Sequence, residues 1–164
     1  MFPDDIQTLA ASVIQAALEA GVMISTAESC TGGLVSGALT GIAGSSAVLD
    51  RGFVTYSNEA KTDLLGVAED LLARFGAVSE SVARAMVLGA VARSRAAASV
   101  SVTGVAGPGG GSADKPVGLV HFAAVSPSGE VIHVERRFGD LGREAVRLES
   151  VRVALTLLSK ALTA

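Results

Sequence analysis

Residues 22–39 constrain the fold of this chain more than any other segment, because they predict a strand, a tight turn and a helix in direct succession. Residues 22–25 are apolar and partly β-branched, and residues 34–39 have helical character after the paired glycines Gly32 and Gly33. Such a turn leaves backbone N–H groups unpaired at the positive end of the helix dipole. We therefore expect an open α/β fold in which this turn lies at one edge of the sheet.

The turn contains two candidate nucleophiles, Ser29 and Cys30, followed by Thr31. A nucleophilic side chain beside free backbone N–H groups suits acyl transfer, because the N–H groups can hold the developing oxyanion. Cys30 rivals Ser29, since a thiol near a helix N-terminus ionises more readily than an ordinary thiol. The alternative is a structural loop in which serine and threonine cap the helix. The residues alone favour neither nucleophile over the other.

The remaining chain alternates helical and extended patterns, which agrees with an α/β fold. A turn at 126–129 joins two strands as a hairpin, and this antiparallel pair makes the sheet mixed. The predicted helices span about 4–20, 34–39, 58–65, 69–75, 79–95 and 140–162, and the predicted strands after the first span about 48–56, 98–103, 117–125 and 130–138.

Composition restricts the class of protein. The 164 residues predict one domain with a substantial core, since 49% are apolar and 18% are charged. The net charge of −3, without a basic block, argues against nucleic acid or an anionic membrane surface as the main partner. A single cysteine excludes an intrachain disulfide and suits a reducing cytosol. With no signal peptide and no membrane-length apolar run, we expect a soluble, cytoplasmic protein.

Metal and histidine chemistry are not expected. His121 and His133 lie within predicted strands, and neither is near a cysteine or an acidic cluster in the sequence. A zinc site is therefore not predicted. A Ser-His-Asp triad is also not predicted, because it needs a histidine on a loop near Ser29.

A lysine follows the second predicted strand at a position that suits a base. Asn58 is the expected N-cap of a short helix, and Lys61 is its third residue after the cap. The helix dipole disfavours a cation there, which lowers the lysine pKa if the side chain is also partly buried. A lysine of lowered pKa can act as a general base. The alternative is an ordinary solvated lysine.

Two further segments can contact a ligand. A glycine-rich loop from Gly104 to Ser112 follows a buried strand, where backbone can approach a ligand closely or simply form a mobile connection. Arg143 lies in the first turn of the last helix, for which Asp140 is the expected N-cap. An arginine there either faces an anion or pairs with a neighbouring carboxylate. These loops are all expected at one sheet edge, where a serine activated by a lysine is the mechanism that uses the available groups.

Six segments of the sequence, in order and over nearly the whole chain, resemble the CinA C-terminal domain family. The stand-alone members of that family are the PncC-type nicotinamide-nucleotide amidases. The segments are TAESCTGG at 26–33, GIAGSS at 41–46, RGFVTYSNEAK at 51–61, GAVS at 76–79, TGVAGP at 103–108 and KPVG at 115–118.

The resemblance implies a three-layer α/β/α fold with a mixed sheet, formed as one domain over residues 1–164. It also implies deamidation of nicotinamide mononucleotide (NMN) to nicotinate mononucleotide and ammonia, without a cofactor or metal. Longer CinA proteins carry an N-terminal domain that is not expected here. Other interpretations are a non-catalytic nucleotide-binding or regulatory domain, and an amidase for a related amide or lactam. We expect a homo-oligomer, whose size the sequence does not fix.

The resemblance also assigns roles to individual residues. Ser29 is implied as the nucleophile, Lys61 as its base and Tyr56 as a third catalytic residue. Arg143 and the glycine-rich turns are implied to hold the 5′-phosphate. The residues expected around the substrate are Cys30, Thr31, Gly32, Gly33, Ser46, Asn58, Thr103, Gly104 and Arg143.

Overall fold

The computed structural model describes all residues from 1 to 164 and contains one mixed five-stranded sheet. The sheet has the strand order β2-β1-β3-β4-β5, in which β1 is parallel to β2 and to β3, while β4 and β5 are antiparallel to their neighbours. The predicted mixed sheet is confirmed. The strands are β1 (Ile24–Glu28), β2 (Leu49–Val54), β3 (Ala98–Gly104), β4 (Leu119–Val125) and β5 (Val131–Arg137).

Helices cover both faces of the sheet, so the expected three-layer arrangement is confirmed. One face packs against α1, α2 and α6 through the largest apolar cluster, and the other packs against α3, α4 and α5 through two smaller clusters. Central strand β3 is buried over six of its seven residues because it lies between these layers. The helices are α1 (Asp4–Ala20), α2 (Leu34–Thr40), α3 (Asn58–Leu65), α4 (Glu69–Phe75), α5 (Glu80–Ala92) and α6 (Arg143–Leu162).

Two predicted N-caps are wrong. The cap of α3 is Ser57, whose hydroxyl accepts a hydrogen bond from the Ala60 amide at 3.0 Å, and Asn58 is the first helical residue. Helix α6 begins at Arg143 after Gly142, so Asp140 lies before the helix. Gly142 adopts a φ of 89°, a conformation that residues with a side chain rarely adopt, and it delays the helix start.

The topology brings four chain segments to one edge of the sheet. Strands β1, β2 and β3 are parallel, so the segments after Glu28, Val54 and Gly104 all leave the sheet at the same edge. Strand β5 runs antiparallel to β4 and returns the chain to that edge, where α6 begins. We refer to this edge as the carboxyl edge. No helix of the structure is both long enough and apolar enough to cross a membrane.

Ser46 lies at the opposite edge, which contradicts its expected place around the substrate. Helix α2 carries the chain from the carboxyl edge back across the sheet, and Ser46 follows within a short 3₁₀ helix, Ser45–Ala47. Strand β2 then starts at Leu49, which pairs with Ile24 at the beginning of β1. Because β1 spans five residues, Ser46 is separated from the site by roughly 15 Å of strand.

Candidate active site

Ser29 and Lys61 meet at the carboxyl edge. Ser29 directly follows β1, and Lys61 lies in the first turns of α3. The Lys61 Nζ atom is 3.0 Å from the Ser29 Oγ atom. The Lys61 side chain is only 1% exposed, whereas Ser29 is partly exposed and lines a cavity. The pair therefore places an amine behind a hydroxyl that a ligand can reach.

The surroundings of the Lys61 amine disfavour its charge relative to an exposed lysine. Its Nζ atom also donates to the backbone carbonyl oxygens of Thr55 at 3.0 Å and Ser57 at 3.4 Å. No salt bridge of the structure includes Lys61. Burial therefore lowers the pKa of Lys61 below its ordinary value of 10.5. The interpretation of Lys61 as a solvated lysine is wrong.

The N-terminus of α2 is already occupied by a carboxylate of the protein. Glu28, which is 1% exposed, accepts hydrogen bonds from the amides of Gly33 at 3.0 Å, Val35 at 3.0 Å and Ser36 at 2.8 Å. This arrangement satisfies the helix terminus and balances its dipole internally. The expectation of free N–H groups around Gly33 is therefore wrong. Neither Gly32 nor Gly33 lines the cavity at Ser29.

Two amides of the turn remain free, those of Cys30 and Thr31. The Ser29 amide donates to the Val102 carbonyl oxygen at 2.9 Å, and the Gly32 amide donates to the Ser29 carbonyl oxygen at 3.0 Å. Neither the Cys30 amide nor the Thr31 amide has an acceptor within the chain. Only Cys30 lines the cavity at Ser29, whereas Thr31 is fully buried, so the Cys30 amide is the one free N–H group of the turn at the cavity.

The surroundings of Cys30 distinguish it from Ser29, because they keep its thiol protonated. The Cys30 thiol is buried, with 6% of the residue exposed, and burial raises its pKa to about 12. The neighbouring Glu28 carboxylate raises that pKa further, since it disfavours a second negative charge. Because the reactive form of cysteine is the thiolate, these surroundings make Cys30 a poor nucleophile.

The cavity in front of Ser29 has a volume of about 270 Å³ and is bounded by the glycine-rich loop after β3. Arg143 also lines the cavity, and its guanidinium donates to the Gly107 carbonyl oxygen and to the Tyr56 hydroxyl, both at 2.8 Å. The Tyr56 hydroxyl bonds neither Ser29 nor Lys61. The residues lining the cavity include Ser29, Cys30, Tyr56, Val78, Gly104, Val105, Gly107 and Arg143.

Three more expected substrate-binding side chains do not line this cavity. Thr103 is 1% exposed and its hydroxyl donates to the Ala77 carbonyl oxygen at 2.8 Å, so it holds the loop before α5 in place. Asn58 lines a different depression beside α4, because it precedes Lys61 by almost one helical turn. The Thr31 side chain is fully buried and its hydroxyl has no hydrogen-bond partner. Because the whole residue is buried, Thr31 makes no contact with the cavity.

The family model of the CinA C-terminal domain matches residues 6–162. The chain belongs to the CinA C-terminal domain family. Its curated relatives include the nicotinamide-nucleotide amidohydrolases PncC of Enterobacter agglomerans, 54% identical over 87% of each chain, and of Escherichia coli K12, 49% identical over 96% of this chain and 95% of the other. Among solved structures, the competence/damage inducible protein CihA of Agrobacterium tumefaciens is 58% identical, covers 100% of this chain and 99% of its own, and superposes with a TM-score of 0.97.

Sequence reasoning missed two residues that shape the site of this CinA domain. Glu28 was expected only as part of the motif, yet it caps α2. Arg147 donates to the carbonyl oxygens of Cys30 at 3.1 Å and Thr31 at 3.0 Å. A signal for Arg147 was present, because it follows Arg143 by four residues and so lies on the same helix face.

The two histidines of the CinA domain form a pair away from Ser29. His121 Nδ1 and His133 Nε2 are 2.9 Å apart, and neither residue lines the cavity. Burial lowers the pKa of both imidazoles. No group of three or more histidine, cysteine, aspartate or glutamate side chains is arranged to hold a metal ion.

Proposed function

We propose that this protein is a nicotinamide-nucleotide amidohydrolase that converts NMN and water to nicotinate mononucleotide and ammonia. The observation that carries the proposal is the 3.0 Å contact between the Lys61 amine and the Ser29 hydroxyl, at a cavity large enough to hold a ligand. The names of the PncC relatives support this choice of substrate.

In the working state Lys61 is a neutral amine. Such an amine has two N–H donors and one lone pair, which correspond to the carbonyl oxygens of Thr55 and Ser57 and to the hydroxyl proton of Ser29. As the Ser29 Oγ atom attacks the carboxamide carbon, its proton passes to the Lys61 Nζ atom. The proton then passes to the leaving nitrogen as the C–N bond breaks, and ammonia departs. A water molecule, deprotonated by Lys61, cleaves the resulting ester.

The free amide of Cys30 is the donor for the oxyanion. Its N–H group follows the nucleophile directly, has no competing acceptor in the chain, and belongs to a residue that lines the cavity. Backbone donors that are fixed before the reaction stabilise the transition state without reorganisation, by about 3 kcal/mol each in other hydrolases. In this assignment the Cys30 residue acts through its backbone and not through its thiol.

Arg143 and the glycine-rich loop bind the substrate phosphate. The Arg143 guanidinium is exposed at the cavity and bonds only neutral groups, so a phosphate can replace or join the Gly107 carbonyl and Tyr56 hydroxyl as its partner. A cation at the same cavity as Ser29 favours a nucleotide over free nicotinamide as substrate. The expected homo-oligomer, the single-domain extent over 1–164 and the cytoplasmic location stay predictions.

The decisive experiment is ammonia release from NMN by the purified protein, with nicotinate mononucleotide measured in the same reaction. We expect equal amounts of the two products, and no release with Ser29→Ala prepared in parallel as the control for contaminating amidases. Free nicotinamide and a panel of unrelated amides test specificity. Hydrolysis of another amide but not NMN would identify a different amidase, and binding of NMN without hydrolysis would identify a non-catalytic domain.

Arg143→Ala is expected to raise KM for NMN by about tenfold to a hundredfold while kcat changes much less, because a charge-assisted phosphate contact is present before and during the reaction. Steady-state kinetics measure KM and kcat separately. The matched control is Arg136→Ala, an exposed arginine of β5 that does not line the cavity. An unchanged KM in Arg143→Ala would remove Arg143 from the phosphate site.

The pH dependence of kcat/KM reports the ionisation of Lys61. A general base must be deprotonated, so activity is expected to rise with pH as Lys61 loses its proton. Because burial lowers that pKa, the midpoint should lie below 10.5, the ordinary lysine value. Stopped-time assays from neutral to alkaline pH measure the profile. A rate that falls with rising pH over this range would contradict the role of Lys61 as the base.

A further inference from the structure

The N–H group of Gly104, the last residue of β3, points toward the turn that follows β1. In a strand, the N–H and C=O groups of one residue point to the same side, and those of the next residue point to the other side. The Val102 carbonyl oxygen accepts from the Ser29 amide at 2.9 Å, so Val102 and Gly104 both face β1. The Val105 amide donates to the Leu119 carbonyl oxygen at 2.9 Å, so the alternate residues face β4.

Strand β1 ends before any of its carbonyl oxygens can accept this N–H group. The carbonyl oxygen that would continue the ladder belongs to Ser29, and it accepts instead from the Gly32 amide at 3.0 Å within the turn. The Glu28 carbonyl oxygen faces the other neighbouring strand and accepts from the Thr55 amide at 2.8 Å. The Gly104 amide therefore has no acceptor within the chain.

The free Gly104 amide borders the cavity at Ser29. Ser29, Cys30 and Gly104 all line this cavity, so the gap between the turn and the end of β3 forms part of it. Neighbouring strands of a sheet lie about 4.8 Å apart. One oxygen atom that accepts from a donor on each side at about 2.9 Å fits that spacing. The gap therefore suits a ligand oxygen that accepts two N–H groups.

We propose that the Gly104 N–H is the second donor for the oxyanion, acting together with the Cys30 N–H. This inference rests on the proposed amidase function. As the Ser29 Oγ atom attacks, the carboxamide C=O bond becomes a C–O⁻ single bond, and its oxygen accepts from both N–H groups. The two donors come from different segments, the turn and the end of β3. Both are backbone groups without another acceptor, so neither has to give up a bond when the oxyanion forms.

The proposal needs a test that removes the N–H group and leaves the rest of Gly104 unchanged. A Cβ atom at this position would lie 2.7 Å from the Val120 Cγ2 atom and 2.8 Å from the Leu119 carbonyl oxygen. An added side chain would therefore displace β4 while it left the N–H in place. Exchange of the amide for an ester avoids this, because it replaces only the N–H with an oxygen.

The experiment replaces Gly104 with glycolic acid, introduced by suppression of a stop codon. The control is the same exchange at Val100 with α-hydroxyisovaleric acid, because Val100 also faces β1 but lies within the ladder, paired with Thr26. With NMN as substrate, we expect the Gly104 ester to lower kcat by about 100-fold or more and to change KM by less than about threefold, since the oxyanion forms only in the transition state. The Val100 ester should lower the melting temperature and keep kcat per folded molecule.

A second measurement uses the unmodified chain and does not depend on NMN. An alkyl fluorophosphonate forms an Oγ–P bond with an activated serine as the P–F bond breaks, with the Ser29 proton passing to Lys61 and fluoride leaving. The phosphoryl oxygen of this adduct then takes the place of the oxyanion. In ¹H–¹⁵N spectra, we expect labelling to move the Cys30 and Gly104 amide protons downfield. The amide proton of Gly44, an exposed residue before β2, should not move.

Each outcome supports or overturns the proposal. A Gly104 ester that raises KM at unchanged kcat would make this N–H a contact to the bound substrate and not to the oxyanion. A Gly104 ester that matches the Val100 ester in both constants would also overturn the proposal. If the wild type is labelled at Ser29 but releases no ammonia from NMN, the proposed substrate is wrong, and a downfield Gly104 amide still supports its role as a donor. An unshifted Gly104 amide, or no labelling of Ser29, overturns that role.

Discussion

Ser29→Ala is expected to lower kcat for NMN deamidation by at least about 10⁴-fold, because it removes the hydroxyl oxygen that forms the ester intermediate in the proposed mechanism. Cys30→Ala should keep most of the activity, since the Cys30 thiol is buried and un-ionised while its amide is unchanged by the substitution. Ammonia release under saturating NMN measures both variants. The comparison decides between the hydroxyl and the thiol as nucleophile.

Two controls test whether the loss of activity is specific to the Ser29 hydroxyl and whether binding is retained. Ser128→Ala removes a hydroxyl from the exposed β4–β5 turn and should behave as wild type. Binding of NMN to Ser29→Ala, measured by calorimetry, should persist, because the phosphate contact proposed for Arg143 remains. If Cys30→Ala lost activity while Ser29→Ala kept it, the thiol would be the nucleophile.

Lys61→Met is expected to lower kcat by about 10³-fold while the dissociation constant for NMN changes by only a few-fold, an effect typical of the loss of a general base. Methionine fills a similar volume without a proton acceptor, so Ser29 keeps its place but loses the group that takes its proton. The carbonyl oxygens of Thr55 and Ser57 also lose a donor, which should lower the melting temperature.

The matched substitution Lys160→Met, at the exposed end of α6, should leave both constants unchanged. Calorimetric titration with NMN and steady-state kinetics distinguish catalysis from binding. If Lys61→Met folded but no longer bound NMN, Lys61 would be a substrate-binding residue and the base would have to be another group.

The sequence predicted helices and strands accurately where the turn or capping residues at their ends were unambiguous. Helix α4 was predicted to the residue, since Gly76 follows its last turn and acidic residues begin it. The β4–β5 hairpin followed from its turn residues. The predicted start of α3 was wrong because two neighbouring residues can cap a helix. Ser57 and Asn58 are both good caps, and only the backbone path selects one of them.

The position of Ser46 shows what topology adds to a motif. The glycine-serine segment at 41–46 belongs to the family pattern, and it suggested a substrate contact. In a parallel pair, however, the loop that enters a strand lies at the opposite edge from the loop that leaves it, and Ser46 precedes β2. The same argument placed Ser29, Lys61 and Arg143 together, and the structure brings all three to the carboxyl edge.

The contacts of Glu28 and Arg147 were beyond sequence reasoning for different reasons. Glu28 is the last residue of β1, and its position in the sequence gives no sign that its carboxylate turns back to cap the next helix. Arg147 meets the turn across more than a hundred residues of chain. Hydrogen bonds of this kind depend on packing between layers, which no local pattern encodes.

The burial of the Cys30 thiol beside Ser29 affects how the protein resists oxidation and alkylation. Because burial raises the pKa of Cys30 to about 12, almost none of this thiol is ionised at neutral pH. Peroxide and alkylating agents attack the ionised form, so they find almost no target in the turn, and a serine hydroxyl resists both. We therefore expect this turn to resist oxidation and alkylation better than a site built on an exposed, acidic thiol.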